Sequence, residues 1–404
     1  MRLAALSGGL LLAASSMAAM ADVITDWDER AVAAGYTARM GPPPHTRVVA
    51  MVHLAMFEAV NSIDARYRPY RARLPAEPGA SRDAAAAAAA HYVLVRAYPD
   101  QAAEMGKGLQ ASLAAVTDER ARQNGVQLGE RAGAAIMADR ANDGAAGPDT
   151  YRPFTTPGKY VPTVLPAASR WAGVRPFALK SGDQFRPGAP YALTSREWAA
   201  DYNEVKRMGA KTGSARSAEQ TDIARFWELT GPATHNPLAR QLVAAKSLDV
   251  TDCARAFALV AMATADALIS VFDAKYTYNF WRPVTAIRNG DMSGNDAIER
   301  DAAWEPFIPT PMHPEYPCAH CITQSAAAGV MQGVFGNSIP PMKLTSTTAP
   351  GVTRTFATYS DYVQEVINAR VYDGVHYRTS GIVGADMGRR IAEYTVQNHL
   401  QPQR

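Results

Sequence analysis

The stretch DCARAFALVAMATADALISVFDAKYTYNFWRP, residues 252–283, decides the fold class of this chain. From Ala256 to Phe272 it is apolar or small except at Asp266, and of helix length, which predicts a long helix over 252–281 covered by other helices. Lys275 and Arg282 lie seven residues apart, about two helical turns, and so project from one face. Pro283 disfavours helix at Arg282 and places the pair at a helix C-terminal end. The helix dipole favours cations there. At the end of a buried helix, however, a cation needs an anionic partner.

Outward from this stretch the same period recurs. It predicts helices near 44–68, 83–97, 99–116, 118–142, 195–211, 217–229 and 237–250, with Asp83, Thr194 and Ser217 at N-cap places. No period-2 run and no internal repeat stands out, so an all-α helical bundle is expected. The alanine run Ala84–Ala90 reads as a helix packed closely on a neighbour. Residues 144–190 differ: they hold eight of the 27 prolines and six scattered aromatics, among them Tyr160, Trp171 and Phe177. So long and so aromatic a segment is expected to be an ordered loop laid on the helices, and a candidate lid.

The remaining composition excludes several classes. Forty-one Lys and Arg against 38 Asp and Glu give a net charge of +3, which argues against a nucleic-acid binder and against an acidic solvating chain. Beyond the N-terminus no run approaches the ~18 uncharged apolar residues of a membrane span, so none is expected. Met1-Arg2, the apolar segment after it and Ala19-Met20-Ala21 have the pattern of a secretory signal peptide over 1–21. Residues 22–404 are then expected to form one exported, all-helical domain, periplasmic or extracellular. Three cysteines are too few for a disulfide scaffold.

Two further segments carry charge beside helix ends. Pro314-Glu-Tyr-Pro317-Cys318-Ala319-His320-Cys321 precedes the apolar run ITQSAAAGVMQGVF and marks a helix N-terminus, whose free amides can hold an anion. His320 in that first turn is either a proton donor or a residue packed beneath a loop. Ala369-Arg370-Val-Tyr-Asp-Gly374-Val-His376 ends another helix, with Gly374 as its stop. Lysine, arginines and histidines beside three helix ends suggest a phosphate-shaped oxyanion held by charge and amides together.

These segments resemble the three motifs K-x6-R-P, P-S-G-H and S-R-x3-G-x-H of the superfamily joining vanadium-dependent haloperoxidases with type 2 phosphatidic acid phosphatases. Here they read Lys275-x6-Arg282-Pro283, Pro317-Cys318-Ala319-His320 and Ala369-Arg370-x3-Gly374-x-His376. The words KYTYNFWRPVTAIR, HPEYPCAH and ARVYDGVHYR are similar to the soluble bacterial haloperoxidase-like branch. The resemblance implies a helical bundle with its oxyanion-binding core over 252–398. Vanadate is the implied cofactor, and phosphate can take the same place. By position, His376 would bond to vanadium, or attack phosphorus in a phosphatase. Lys275, Arg282 and Arg370 would neutralise the oxyanion, the amide of Ala319 would bind it, and His320 would be the acid–base group. His313, seven residues before His320, would face the cofactor. A histidine there resembles the bromoperoxidases and implies bromide and iodide as substrates. The implied partners are hydrogen peroxide, a halide and an organic acceptor, or else a phosphoester, with oligomeric assembly left open.

The sequence also departs from the motifs. Cys318 replaces the serine with a poorer donor, Ala319 replaces glycine, and Ala369 replaces the serine before Arg370. Cys318 and Cys321 form a C-x-x-C pair that reads as a disulfide, as two thiols or, least well, as a zinc site, since Cys253 fits no zinc spacing. Three functions stay open: a secreted vanadium-dependent haloperoxidase, an acid phosphatase on the same scaffold, and a non-catalytic periplasmic protein with a degenerate pocket. The intact charged residues argue against the last.

Overall fold

Helices follow one another through most of the chain: α1 (Val23–Thr37), α2 (Pro42–Asp64), α3 (Arg82–Ala97), α4 (Ala102–Ala114) and α5 (Glu119–Asp139) precede the Pro-rich segment. After it come α6 (Arg196–Met208), α7 (Ala218–Phe226), α8 (Asn236–Lys246), α9 (Val250–Tyr278), α10 (Pro283–Arg288) and α11 (Ala319–Phe335). A hairpin of β1 (Met342–Ser346) and β2 (Ala349–Phe356) leads to α12 (Tyr359–Tyr372) and α13 (Arg378–Asn398). This computed structural model describes residues 23–71, 73–148 and 150–403. The expected signal peptide, residues 1–21, lies outside the described residues.

Local chemistry sets most helix starts. Side chains of Ser81, Asp118, Ser195 and Asp249 each accept the amide three residues on, and Ser217 and Thr358 close full capping boxes. Ser217 is a cap as expected. The caps assigned to Asp83 and Thr194 belong instead to Ser81 and Ser195, whose extended backbones aim the hydroxyl at the amides. The small hairpin also departs from the all-helical reading. Only Met342, Leu344 and Ser346 alternate inward along β1, too short a pattern to stand out from its surroundings.

The core is built on α9. By length and composition this helix could cross a membrane, although Asp266 interrupts its apolar run, and its apolar surface is covered by α2, α11 and α13. Its one mid-helix charge, Asp266, accepts the backbone amides of Phe177, Ala178 and Leu179 at 2.6, 2.7 and 2.8 Å. A buried carboxylate so satisfied ties the Pro-rich segment to the core. The segment is held again by Arg186 paired to Asp273 at 2.6 Å, by Tyr160 N donating to Asn279 O at 2.8 Å and by Trp281 N donating to Gly158 O at 3.0 Å. It is thus an ordered covering over the C-terminal end of α9.

The alanine run does what its bland reading predicted. Ala84–Ala90 are all buried, and α5 packs so closely on them that a Cβ at Gly129 would sit 2.2 Å from the Ala85 carbonyl oxygen. One hydrophobic cluster extends from Ile24 to Leu400, and a second, aromatic one gathers Trp198, Tyr202, Trp281, Trp304, Tyr316 and Tyr377 behind the loop ends.

Candidate active site

Three chain reversals bring the cationic segments together. The helix α9 stops at Tyr278 because Asn279 takes a left-handed conformation, and the chain returns through Phe280 and Trp281 to Arg282. Arg282 is therefore not on the face it was expected to share with Lys275. It stands in extended backbone at the start of α10, as its place before proline dictates. Cys318 caps α11, so Ala319 and His320 open that helix where amides lack helical partners. Gly374, with φ of +76°, turns the chain after α12 and delivers His376 from the loop before α13. A bond from Cys318 N to Ser380 O at 3.1 Å joins the second segment to the third.

The side chains converge as the sequence implied. Arg282 Nη1 lies 3.2 Å from His376 Nε2, and Arg282 Nη2 donates to His313 Nδ1 at 3.0 Å. Lys275 Nζ donates to the carbonyls of Pro314 and Glu315 at 2.9 and 2.7 Å. Arg370 Nη1 donates to Trp227 O at 3.0 Å, while its Nε has no partner among the described residues. Lys275, Arg282, Arg370 and His376 are buried, whereas His313, Ala319 and His320 are partly open. His313, Ala319, His320 and His376 all line a cavity of about 780 Å³ that rises beneath the Pro-rich segment.

Two carboxylates that the motifs did not point to complete the site. Glu315 Oε1 lies 2.7 Å from His376 Nδ1 and accepts the Tyr377 amide at 3.1 Å. Asp373 Oδ2 pairs with Arg370 Nη1 at 2.6 Å. Both residues are quoted within the motif words, and only their burial beside cations marks them as partners. With Glu315 ionised, as the nearby Lys275 and Arg282 favour, this contact places the His376 proton on Nδ1 and leaves Nε2 to accept from Arg282. By the same logic His320, whose Nε2 meets the Leu229 carbonyl at 3.2 Å, keeps its basic nitrogen at Nδ1.

Electrostatics favour an anion. Burial, and then the neighbouring Arg282, pushes Lys275 well below its ordinary value, and burial lowers Arg282 to about 10. His376, His320 and His313 are all driven well down by burial and then by the adjacent cations, so they are neutral. Burial raises Glu315 to about 8 and Asp373 to about 7, against the pull of their cationic neighbours. Three buried cations thus face two carboxylates reluctant to ionise. An oxyanion would counter the downward shifts of Lys275, Arg282 and the histidines, and would hold Glu315 and Asp373 still further toward their protonated forms.

No disulfide joins Cys318 to Cys321, and the disulfide reading of that pair is not realised. The Cys318 thiol is occupied as a helix cap, accepting the Cys321 amide at 3.2 Å. No group of three or more His, Cys, Asp or Glu residues that could hold a metal ion occurs among the described residues.

Residues 255–403 match the VCPO second helical-bundle domain. The vanadium chloroperoxidase of Curvularia inaequalis is 24% identical over an alignment covering 62% of this chain. The chain spans about half the length of that relative, 53%. Among solved structures, a bacterial vanadium-dependent iodoperoxidase superposes with a TM-score of 0.82 at 24% identity, covering 95% of this chain and 97% of that one. A bacterial vanadium-dependent chloroperoxidase superposes with 0.72 at 18% identity, covering 89% and 92%. The chain therefore has the fold of these solved bacterial vanadium-dependent haloperoxidases, and its residues 255–403 are similar to the VCPO second helical-bundle domain.

Proposed function

We propose that this protein is a vanadate-dependent haloperoxidase that uses hydrogen peroxide to oxidise bromide or iodide. The observation that carries the reading is the surplus of buried cations around the His376 Nε2 lone pair, with Arg370 Nε unpartnered beside them. That donor set fits a vanadate: His376 Nε2 would bind it, while Lys275, Arg282, Arg370 and the Ala319 amide would offset its charge. Cys318 would add little, because its thiol already caps α11. When bound, vanadate supplies Lewis-acid polarisation of hydrogen peroxide without a change of its own oxidation state.

The chain's residues supply the rest. Neutral His320 can take a peroxide proton at Nδ1 and return it to departing oxygen. Glu315 holds the His376 ring and tautomer. His313 faces the cavity beside Arg282, edge-on to Phe272 with ring centroids 5.2 Å apart. An imidazole there adds a hydrogen bond that lowers the electrophilicity of an activated oxygen, which favours bromide and iodide over chloride. Residues 1–21, with their signal-peptide pattern, support action outside the cytoplasm.

The carboxylate-held His376 also supports a second reading, phosphomonoester hydrolysis through attack by Nε2. One vanadate-free preparation separates the two. Peroxide-dependent bromination should appear on adding vanadate and be suppressed by phosphate, with little chlorination. Hydrolysis of p-nitrophenyl phosphate without any bromination would reject the peroxidase in favour of the phosphatase. Efficient chlorination, or unchanged halide ratios in His313→Phe, would reject the halide assignment.

A further inference from the structure

The cavity above the histidines is larger and more apolar than halide and peroxide require. Its volume of about 780 Å³ falls in the range of sites for sizeable organic molecules, whereas a water-sized reactant occupies only about 30 Å³. Pro43, Leu165, Trp171, Leu268, Phe272 and Met312 form its walls. No carboxylate lines it, and Arg170 is its one charged residue besides the histidines. A second observation is independent of the volume. Leu165 is 90% exposed at the rim, on a segment that Ala167 N fastens to Met312 O at 2.6 Å. Because Met312 is itself 49% exposed and lines the same cavity, the two side chains make one apolar lip rather than a lone surface leucine, and such a patch marks a binding site.

We propose that this cavity binds the organic acceptor of the reaction, and that the acceptor is an uncharged, electron-rich aromatic molecule. This rests on the halide-oxidising reading above. Its ring lies against Leu165 and Trp171 on the side of the Pro-rich segment and against Leu268 and Phe272 on that of α9, with one edge toward His313 and His320. The reaction there is Ar–H + X⁻ + H₂O₂ + H⁺ → Ar–X + 2 H₂O. The halide gives an electron pair to peroxide as the O–O bond breaks; a carbon–halogen bond then forms, and the ring proton leaves to water through a neutral histidine. Halogenation is directed by the wall rather than left to freely diffusing hypohalite.

Thymol, titrated calorimetrically into the vanadate-free protein, should bind saturably at one site. Leu165→Asp and Met312→Asp, both at exposed positions that spare the fold, should each weaken it at least tenfold. With vanadate, bromide and peroxide, the bromothymol isomer ratio should differ from that of reagent hypobromous acid and move toward it in both variants. Absent binding, or affinity unchanged in both variants, overturns the site even if bromination proceeds. Binding without bromination after vanadate is added instead overturns the halide-oxidising reading, and with it the acceptor role.

Discussion

Two buried polar clusters of this molecule are built on different principles. One lies among α1, α2, α8 and α9. There Asp28, fully buried, takes His53 Nε2 at 2.9 Å, Asn236 Nδ2 at 2.5 Å and Arg240 Nη1, and His53 stacks on Phe257 at 5.0 Å. Burial alone would raise the Asp28 carboxyl, but His53 and Arg240 outweigh it and hold it below its ordinary value. The other is the Lys275, Arg282, Arg370 and His376 pocket, where both carboxyls are pushed up and Arg370 Nε lacks a partner. In the first cluster both oxygens of Asp28 are met, and His53 Nδ1 is the orphan. The second leaves Arg370 Nε, Glu315 Oε2 and Asp373 Oδ1 without hydrogen-bond partners, beside a cavity that His376 lines. Buried polarity is thus no mark of a site; several orphaned polar groups gathered beside a cavity are what set the second cluster apart.

The contrast can be broken most severely in the second cluster. His376→Ala should cut vanadate-supported turnover by at least ~100-fold, the scale of losing an essential catalytic group. Lys275→Ala should act mainly by weakening vanadate and phosphate binding, since it removes one charge of three. Equal turnover in His376→Ala and the parent would remove His376 from the chemistry.

Asp28→Ala should act on stability instead. It deprives buried His53 and Asn236 of their shared acceptor and leaves Arg240 only its pair with Glu29, costing about 3 kcal/mol in urea unfolding, since breaking a buried pair is expensive. Vanadate affinity of the folded protein should not change; a tenfold loss would mean the clusters are not separate.

Glu315→Gln sharpens the comparison from within the pocket. It keeps the shape but weakens the hold on His376 Nδ1, so vanadate affinity by equilibrium dialysis should fall ~10–100-fold, as for other partners of ligating histidines. An unaltered dissociation constant would reduce Glu315 to packing.

The smallest effect is in pH. His45 and His235, both buried near the first cluster, are lowered from 6.5 to about 4, chiefly by desolvation. Between those values the unfolded chain takes protons that the folded chain refuses, so stability falls as pH drops through 6.5 and levels off below 4. By pH 5.5 each should contribute about 1 kcal/mol of loss relative to pH 7. Urea midpoints of His45→Gln and His235→Gln that track the parent across this range would contradict it.

Sequence alone determined the helices, because apolar periodicity and capping side chains are local. It also singled out Lys275, Arg282, His320, Arg370 and His376 as one candidate group, because motif spacing can be read without a structure. Other features were decided only by tertiary packing. Arg282 was placed on a helix that Asn279 ends, since a left-handed asparagine is not distinguishable by type from a helical one. The apolar length of α9 became core rather than membrane span because three helices and the amides of residues 177–179 cover it. Glu315 and Asp373 became partners of His376 and Arg370 only when burial removed the water that would have solvated each carboxylate separately. The cavity walls come from α2, α9, α11 and the Pro-rich segment, far apart in the chain, and no local pattern encodes a space that such distant elements enclose.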